Sequence, residues 1–404
     1  MGKRMAALAL AVCMALPLFG CGGKLKAQSL TEGITARTID THTDLTGDST
    51  AVMDFAAALL RQTAESEGVL LSPVSVLYAL GMTANGASGD TLTQLEQVMG
   101  MDLTALNDYL YTYRMSLPEN TKKCKLSLSN SLWLRDIFHV DDAFLNTCAN
   151  YYGAEAYRSA FDDSLVTDLN RWVDNKTDGM ISSLLDQPPT DRTMLYLVNA
   201  VCFDAKWQEP YEKSDIETGT AFTAADGTRQ TADLLWSKES VYLSDDNTTG
   251  FMKYYDGGRY AFVGLLPSEG VPIADYVAGL TGGKLHALLN EHRYGTVEAA
   301  IPRFTASSSL ELNDALKAMG VTDAFDASHA DLRAMGSAPN DQLYVSAVLH
   351  KTYLSLDENG TKAAAVTAVV TDTASAEPPE VHRVVLDRPF VYMICLLYTS
   401  PSPR

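Results

Sequence analysis

The residue types that most often carry chemistry are present in this chain but are not spaced for it. Cysteines stand at 13, 21, 124, 148, 202 and 395, none in a CxxC pair, so zinc ribbons and thioredoxin-like redox chemistry have no support. HExxH, Walker A, GxGxxG and the GxSxG nucleophile elbow are all absent. With no nucleophile–base pair and no ligand pattern, we expect no catalytic residue, no metal and no cofactor. His350 sits in an apolar alternating stretch and Asn199 in a nearly continuous apolar run, so each reads first as a hydrogen-bonded core residue. What remains is Asp357-Glu358-Asn359-Gly360-Thr361-Lys362-Ala363-Ala364-Ala365-Val366-Thr367. Small residues dominate both alternating faces, so this segment can lie exposed as a loop or slot into a sheet as a strand. The residues after it, 368–377, are small and lack a helix cap, and the stretch closes at Pro378-Pro379-Glu380-Val381. Taken alone, an Ala/Thr-rich surface loop is the commoner reading.

A segment of that kind needs a large framework to position it. The chain has 404 residues, 46% of them hydrophobic, which is enough for a sizeable core and suggests two or three domains by length. Its formal charge of −19 repels phosphate backbones, so no nucleic-acid partner is expected. Helical spacing of apolar residues covers 51–60, 74–83, 91–99, 169–181 and 310–319. Asp48 or Ser49 caps the first helix, Ser72-Pro73 opens the second, and Gly320 closes the last. Strand patterns occupy 125–134, 195–203, 222–235, 241–255, 260–266, 296–304 and 343–356, with Asp-Gly and Asp-Asp turns among them. Helices precede and then interrupt long antiparallel-looking strands, which predicts an α+β fold. No Pro- or Gly-rich linker divides residues 50–395, so one domain over 49–394 is expected in place of two or three.

The first residues carry an address. Lys3 and Arg4 precede an apolar run over 5–18 that is too short for a membrane span, as in a signal peptide of residues 1–20. The run ends Leu18-Phe19-Gly20-Cys21, which resembles the lipobox of bacterial lipoproteins. That resemblance implies cleavage before Cys21 and lipidation of its thiol; a plain secretory signal with an incidental Cys is the other reading. Either way the protein is expected to be exported, anchored at the cell surface or secreted. Residues 21–48 lack a sustained apolar period and read as a flexible tether. Cys124, Cys148 and Cys202 read as small unpaired hydrophobes.

With its surroundings, the segment after Asp357 closely resembles the hinge and reactive-centre loop of the serpins, and the resemblance runs over roughly residues 50–394. Leu71-Ser72-Pro73-Val74-Ser75, continued by Ala79-Leu80-Gly81-Met82-Thr83-Ala84-Asn85-Gly86-Ala87, looks like the family's helix B. Asn170-Arg171-Trp172-Val173 with Thr177 is similar to helix F, and Leu197-Val198-Asn199-Ala200-Val201-Cys202-Phe203 with Trp207 to the third strand of the main sheet. Ile301-Pro302-Arg303-Phe304, Asp323-Ala324-Phe325, Ser346-Ala347-Val348-Leu349-His350-Lys351 and Arg388-Pro389-Phe390 follow in the family's order. Each piece is weak alone; the ordered set is strong. It implies a serpin fold, with a large main sheet, two smaller sheets, eight or nine helices and an exposed reactive loop at about 358–380. Ser72, Ser75, Asn199 and His350 then belong to the polar shutter where the central strands part, and Trp207 to the breach above it.

The resemblance also implies a function. A target serine or cysteine protease would attack the loop and form an acyl-enzyme. The freed hinge would then insert into the main sheet before water completes hydrolysis. Glu358, Gly360, Thr361, Ala363, Ala364, Ala365 and Thr367 form this hinge, with Thr361, Ala363, Ala365 and Thr367 on its inward face. Family spacing places the scissile bond at Ala374-Ser375, and counting back from Pro378-Pro379 places it at Ser375-Ala376. A small residue before the cut suits elastase-like or subtilisin-like pockets and not a trypsin-like one. A monomeric protease inhibitor, not an enzyme, is therefore expected; a non-inhibitory binding protein or simple substrate of the same fold is the alternative. The pattern departs after Val391-Tyr392-Met393-Ile394, where the family has a further buried strand containing Phe-x-Gly-x-Val. Residues 395–404 back-translate to a sequencing adapter and are read as a non-native tail, since Pro401 and Pro403 suit no central strand.

Overall fold

Where the sequence changes from helical to two-residue periodicity, the backbone changes from helices to sheets. The computed structural model describes residues 24–41, 43, 45, 49–64, 68–337, 343–361 and 380–397. A short strand β1 (Gln28–Ser29) precedes four helices, α1 (Ser49–Thr63), α2 (Pro73–Asn85), α3 (Gly89–Met99) and α4 (Leu103–Ser116). Then come β2 (Cys124–Arg135), β3 (His139–Val140), α5 (Asp142–Thr147), β4 (Glu155–Ser159), α6 (Asp163–Lys176) and β5 (Leu195–Lys206). The next group is β6 (Ile216–Thr223), β7 (Arg229–Asp245), β8 (Thr248–Tyr254), β9 (Tyr260–Pro267), α7 (Ile273–Ala278) and α8 (Gly282–Asn290). Last are β10 (Arg293–Pro302), β11 (Phe304–Glu311), α9 (Asn313–Met319), β12 (Gly336–Ser337), β13 (Ala347–Asp357), β14 (Gly360–Thr361), β15 (Val381–Val385) and β16 (Val391–Leu396).

The main sheet has the order β1-β4-β2-β5-β14-β13-β11, and β5 also pairs directly with β13. A second sheet runs β15-β10-β7-β8-β9-β16 with β6 on β7, and β3 and β12 form a small third one. The near-continuous apolar run of β5 is explained by burial on both faces. Leu195 and Leu197 pack with α2, while Tyr196, Val198 and Ala200 pack with Leu165, Leu169, Trp172 and Val173 of α6. Pro73 occupies the first turn of α2, where its missing N–H has no intrahelical partner to lose. Residues Ser75 to Ala84 of that helix are all buried, so it is a core helix and not an amphipathic one.

Several boundaries move. The helix expected over 169–181 spans Asp163–Lys176, because Asp162 caps it by accepting from Ser164 N–H. It ends before Asp178 and Gly179, both at positive φ. Leu310 and Glu311 belong to β11, so the helix after them starts only at Asn313. Between the Asp226-Gly227 and Asp245-Asp246 turns the chain runs as one 17-residue strand, β7. Cys148 and Cys202 are buried and Cys124 half-buried.

Two further findings concern the ends. Residues 24–41 are not a free tether. Lys26 and Ala27 N–H donate to Asp168 Oδ2 at 2.7 and 2.6 Å, and β1 adds antiparallel to the β4 edge. Arg37 N–H then donates to Asn150 Oδ1 and Ile39 N–H to Tyr111 OH. The docking is made largely by backbone donors, which leave no periodic trace in side-chain type. At the other end, Cys395 and Leu396 pair with Ala261 and Tyr260, and Leu397 N–H donates to Arg259 O, so the sheet continues past the expected start of the tail. Asp168 is fully buried, so Asp168→Ala strands two amides. A loss of about 2 kcal/mol is expected, measured by urea unfolding. Hydrogen exchange at Lys26 and Ala27 should accelerate with it.

Candidate functional site at the central seam

The centre of the main sheet holds two parallel neighbours that are only partly joined. β5 and β13 pair directly from Tyr196 with Ala347 up to Cys202 with Tyr353. Above that point β14 lies between them, antiparallel to both: Thr361 opposes Leu356 on one side and Ala205 on the other. The seam is thus closed below and wedged open above by two residues.

Backbone contacts make the wedge tight. Gly360 has φ +148, and a Cβ there would lie 2.1 Å from Ala205 O, so only glycine fits. Thr361 is fully buried, and its Oγ1 shares a 2.8 Å hydrogen bond with Tyr255 OH. Tyr255 stacks on Trp207 with ring centroids 4.4 Å apart. Trp207 Nε1–H donates to Asp357 O, and Arg303 holds the Glu358 carboxylate at 2.6 Å. Burial pushes the Tyr255 hydroxyl well above the usual tyrosine range, so it remains a neutral hydrogen-bonding group.

Lower in the seam, Asn130, Asn199 and His350 occupy adjacent positions on β2, β5 and β13. Asn199 Nδ2–H donates to Asn130 Oδ1 at 2.6 Å, and its own Oδ1 lies 3.1 Å from His350 Nδ1. Ser72 N–H donates to His350 Nε2 at 3.0 Å, which leaves Nδ1 as the protonated nitrogen. Ser72 and Ser75 share a hydroxyl–hydroxyl bond of 2.8 Å at the start of α2. Burial lowers the His350 pKa to about 4, so the ring is neutral. Both ring nitrogens are taken, by the Ser72 amide and the Asn199 side chain, and the two serine hydroxyls bond each other, so the imidazole activates neither. It ties three strands and a helix by bonds that can be exchanged one at a time, unlike a dry apolar seam.

Ser72, Ser75, Asn199 and His350 are therefore brought together, and Trp207, Glu358, Gly360 and Thr361 meet at the upper end. Ala363, Ala364, Ala365, Thr367, Ala374, Ser375, Ala376 and Cys21 lie outside the described residues. Sequence reasoning missed Asn130, Tyr255 and the role of Arg303. Asn130 stands in the middle of a strand pattern, and nothing local marks it as the neighbour of Asn199. Among the described residues, no group of three or more His, Cys, Asp or Glu could hold a metal ion. No described helix is long and apolar enough to cross a membrane.

Comparison with known proteins agrees with this architecture. The family model described as serpin (serine protease inhibitor) matches residues 50–399. This chain belongs to the serpin family. Neuroserpin of Gallus gallus is 28% identical over 351 residues, covering 83% of this chain and 84% of that protein. The thermophilic serpin tengpin in its native state superposes with a TM-score of 0.86 at 37% identity, over 92% of this chain and 96% of tengpin. Human thyroxine-binding globulin complexed with its hormone gives a TM-score of 0.76 at 25% identity, over 87% and 94%.

Proposed function

We propose that this chain is an exported, monomeric suicide-substrate inhibitor of serine proteases, and by the same acyl chemistry of cysteine proteases. The observation that carries the reading is the Gly360-Thr361 wedge already seated between β5 and β13, directly above seven register pairs that a longer strand would replace. Extending the wedge breaks one ladder and makes two, a net gain on the order of 5–10 kcal/mol in backbone hydrogen bonds. The small inward residues that follow, Ala363, Ala365 and Thr367, fit that path.

In this mechanism the protease's serine Oγ attacks the carbonyl carbon of Ala374, and the Ala374-Ser375 C–N bond breaks with Ser375 leaving as the amine. The ester remains on the enzyme while the freed segment zips into the seam and carries the enzyme along. Deacylation stalls because the dragged active site loses its oxyanion and base geometry. A small residue at 374 supports elastase-like or subtilisin-like targets, and Ser375-Ala376 is the neighbouring candidate bond. Residues 1–20 and Cys21 support export followed by a lipid anchor.

Thyroxine-binding globulin has the same fold, so the test must separate trapping from ligand carriage. Incubation with an elastase or a subtilisin is expected to yield a denaturant-resistant covalent complex and a released fragment beginning at Ser375. Loop cleavage with full recovery of protease activity, and no complex, would refute inhibition.

A further inference from the structure

We infer that the buried ion pair between Lys253 and Glu239 is the positioning device that sets the register at which the loop enters the main sheet. The pair lies in the second sheet, on β8 and β7. Its side chains are only 4% and 10% exposed, with Lys253 Nζ 3.0 Å from Glu239 Oε1. The same ammonium lies 4.4 Å from the centre of the Tyr211 ring and 5.4 Å from that of Trp207. Two aromatic faces and a carboxylate thus hold one cation out of water, which fixes where both rings can rest.

Those two rings belong to the segment that grips the turn between β13 and β14. Trp207 Nε1–H donates to Asp357 O at 3.0 Å, Tyr211 N–H to Glu358 O at 2.9 Å, and Trp207 N–H to Asn359 O at 3.0 Å. Three successive carbonyls of the turn are each tied to residues whose rings sit on the ammonium. Trp207 also stacks on Tyr255, the partner of Thr361. The grip therefore reaches from Asp357 through Thr361 and leaves one register open to Lys362 and the residues after it.

A buried ion pair adds little net stability, because desolvation offsets most of its attraction. Its value here is geometric. A shift of one residue would turn the inward face of the loop outward and present Lys362 to the core. Without the cation, the rings settle differently, zipping starts late or out of register, and the protease has time to deacylate. Lys253 acts through Trp207 and Tyr211 and touches no reacting atom, so it is a positioning residue.

This inference rests on the inhibitory reading, and the experiment separates the two. Lys253→Met keeps the stem's length and removes the charge. It is expected to raise the number of inhibitor molecules consumed per protease by about tenfold. The rate of the first loop cut should not change, since residues 362–380 are untouched. Lys253→Arg should recover part of the loss, and Glu239→Gln should mimic it. The double variant should cost less than the sum of the singles. A second readout needs no trapping: the rate at which chain nicked in the loop gains thermal stability should fall by a similar factor in Lys253→Met. An unchanged partition together with an unchanged stabilisation rate overturns the assignment. So does a fall in thermal stability alone, or a nicked wild-type chain that gains no stability. A wild-type chain that forms no complex but stabilises on nicking, with the rate slowed in Lys253→Met, overturns inhibition and upholds the positioning role.

Discussion

Thr361→Arg is expected to turn the protein from an inhibitor of its target into a substrate of it. Thr361 is the first residue of the loop whose side chain enters the body, and it is completely enclosed. Around it stand Leu356, Ala205, Tyr255 and, against Tyr255, Phe203 and Trp207. Its hydroxyl has a partner in Tyr255, but that phenol cannot neutralise a guanidinium. Seating an arginine would bury a charge without a counter-ion, and displacing it outward would expel β14 from the seam. Even after relaxation the penalty is about 3 kcal/mol or more. Placed on the insertion barrier, that slows zipping about 100-fold, enough for deacylation to overtake it. The measurement is a titration of protease with variant, scored by residual activity and by complex on a denaturing gel. The complex band should vanish while the cut fragment accumulates at the wild-type initial rate. Thr361→Val, which keeps the volume and loses only the hydroxyl bond, should retain most of the trapping. An unchanged stoichiometry for the arginine variant would mean that Thr361 does not pass through the seam.

What the sequence made legible follows from how local the cause is. Ser72-Pro73 marks the start of α2 because capping and proline geometry act within one turn. The 195–203 run announces a strand covered on both faces, and β5 has helices on both. Gly360 stands out in the hinge by type, and the backbone 2.1 Å from its missing Cβ gives the reason. Features set by distant partners were illegible. The Glu358–Arg303 ion pair joins residues 55 apart, and Asn130 meets Asn199 only because β2 and β5 lie in register. Residues 24–41 looked like a tether because they dock through amides, whose donors are the same in every residue but proline. The short helices α5 and α7, six residues each, are too brief to show a helical period. The cluster under the turn is the hardest case. Nothing local marks Lys253 and Glu239 as partners, and only the fold of the second sheet brings them beneath Trp207.

The shutter makes the fold sensitive to acid. His350 Nε2 accepts the Ser72 amide, and Nδ1 faces Asn199 Oδ1. A proton added to Nε2 would set two N–H donors against each other at a fully buried position. Burial already holds the pKa at about 4, against 6.5 for the free side chain. The unfolded chain therefore binds the proton first. Stability from the neutral ring is fully present above pH 6.5 and is lost as the pH falls toward 4. The amount is about 3 kcal/mol. Part of that loss falls on the seam itself, because β5, β13 and α2 meet at this ring. Acidification should therefore speed opening of the central strands as well as unfolding. Carboxylates titrate in the lower part of the same window, so the histidine's share is a difference measurement. His350→Gln can donate to Asn199 and accept from Ser72 without taking up a proton. Urea unfolding of both proteins from pH 7 to pH 4 should show wild type losing stability relative to the variant by about 3 kcal/mol. If the two curves stay parallel across that range, His350 is not the neutral latch between the two strands.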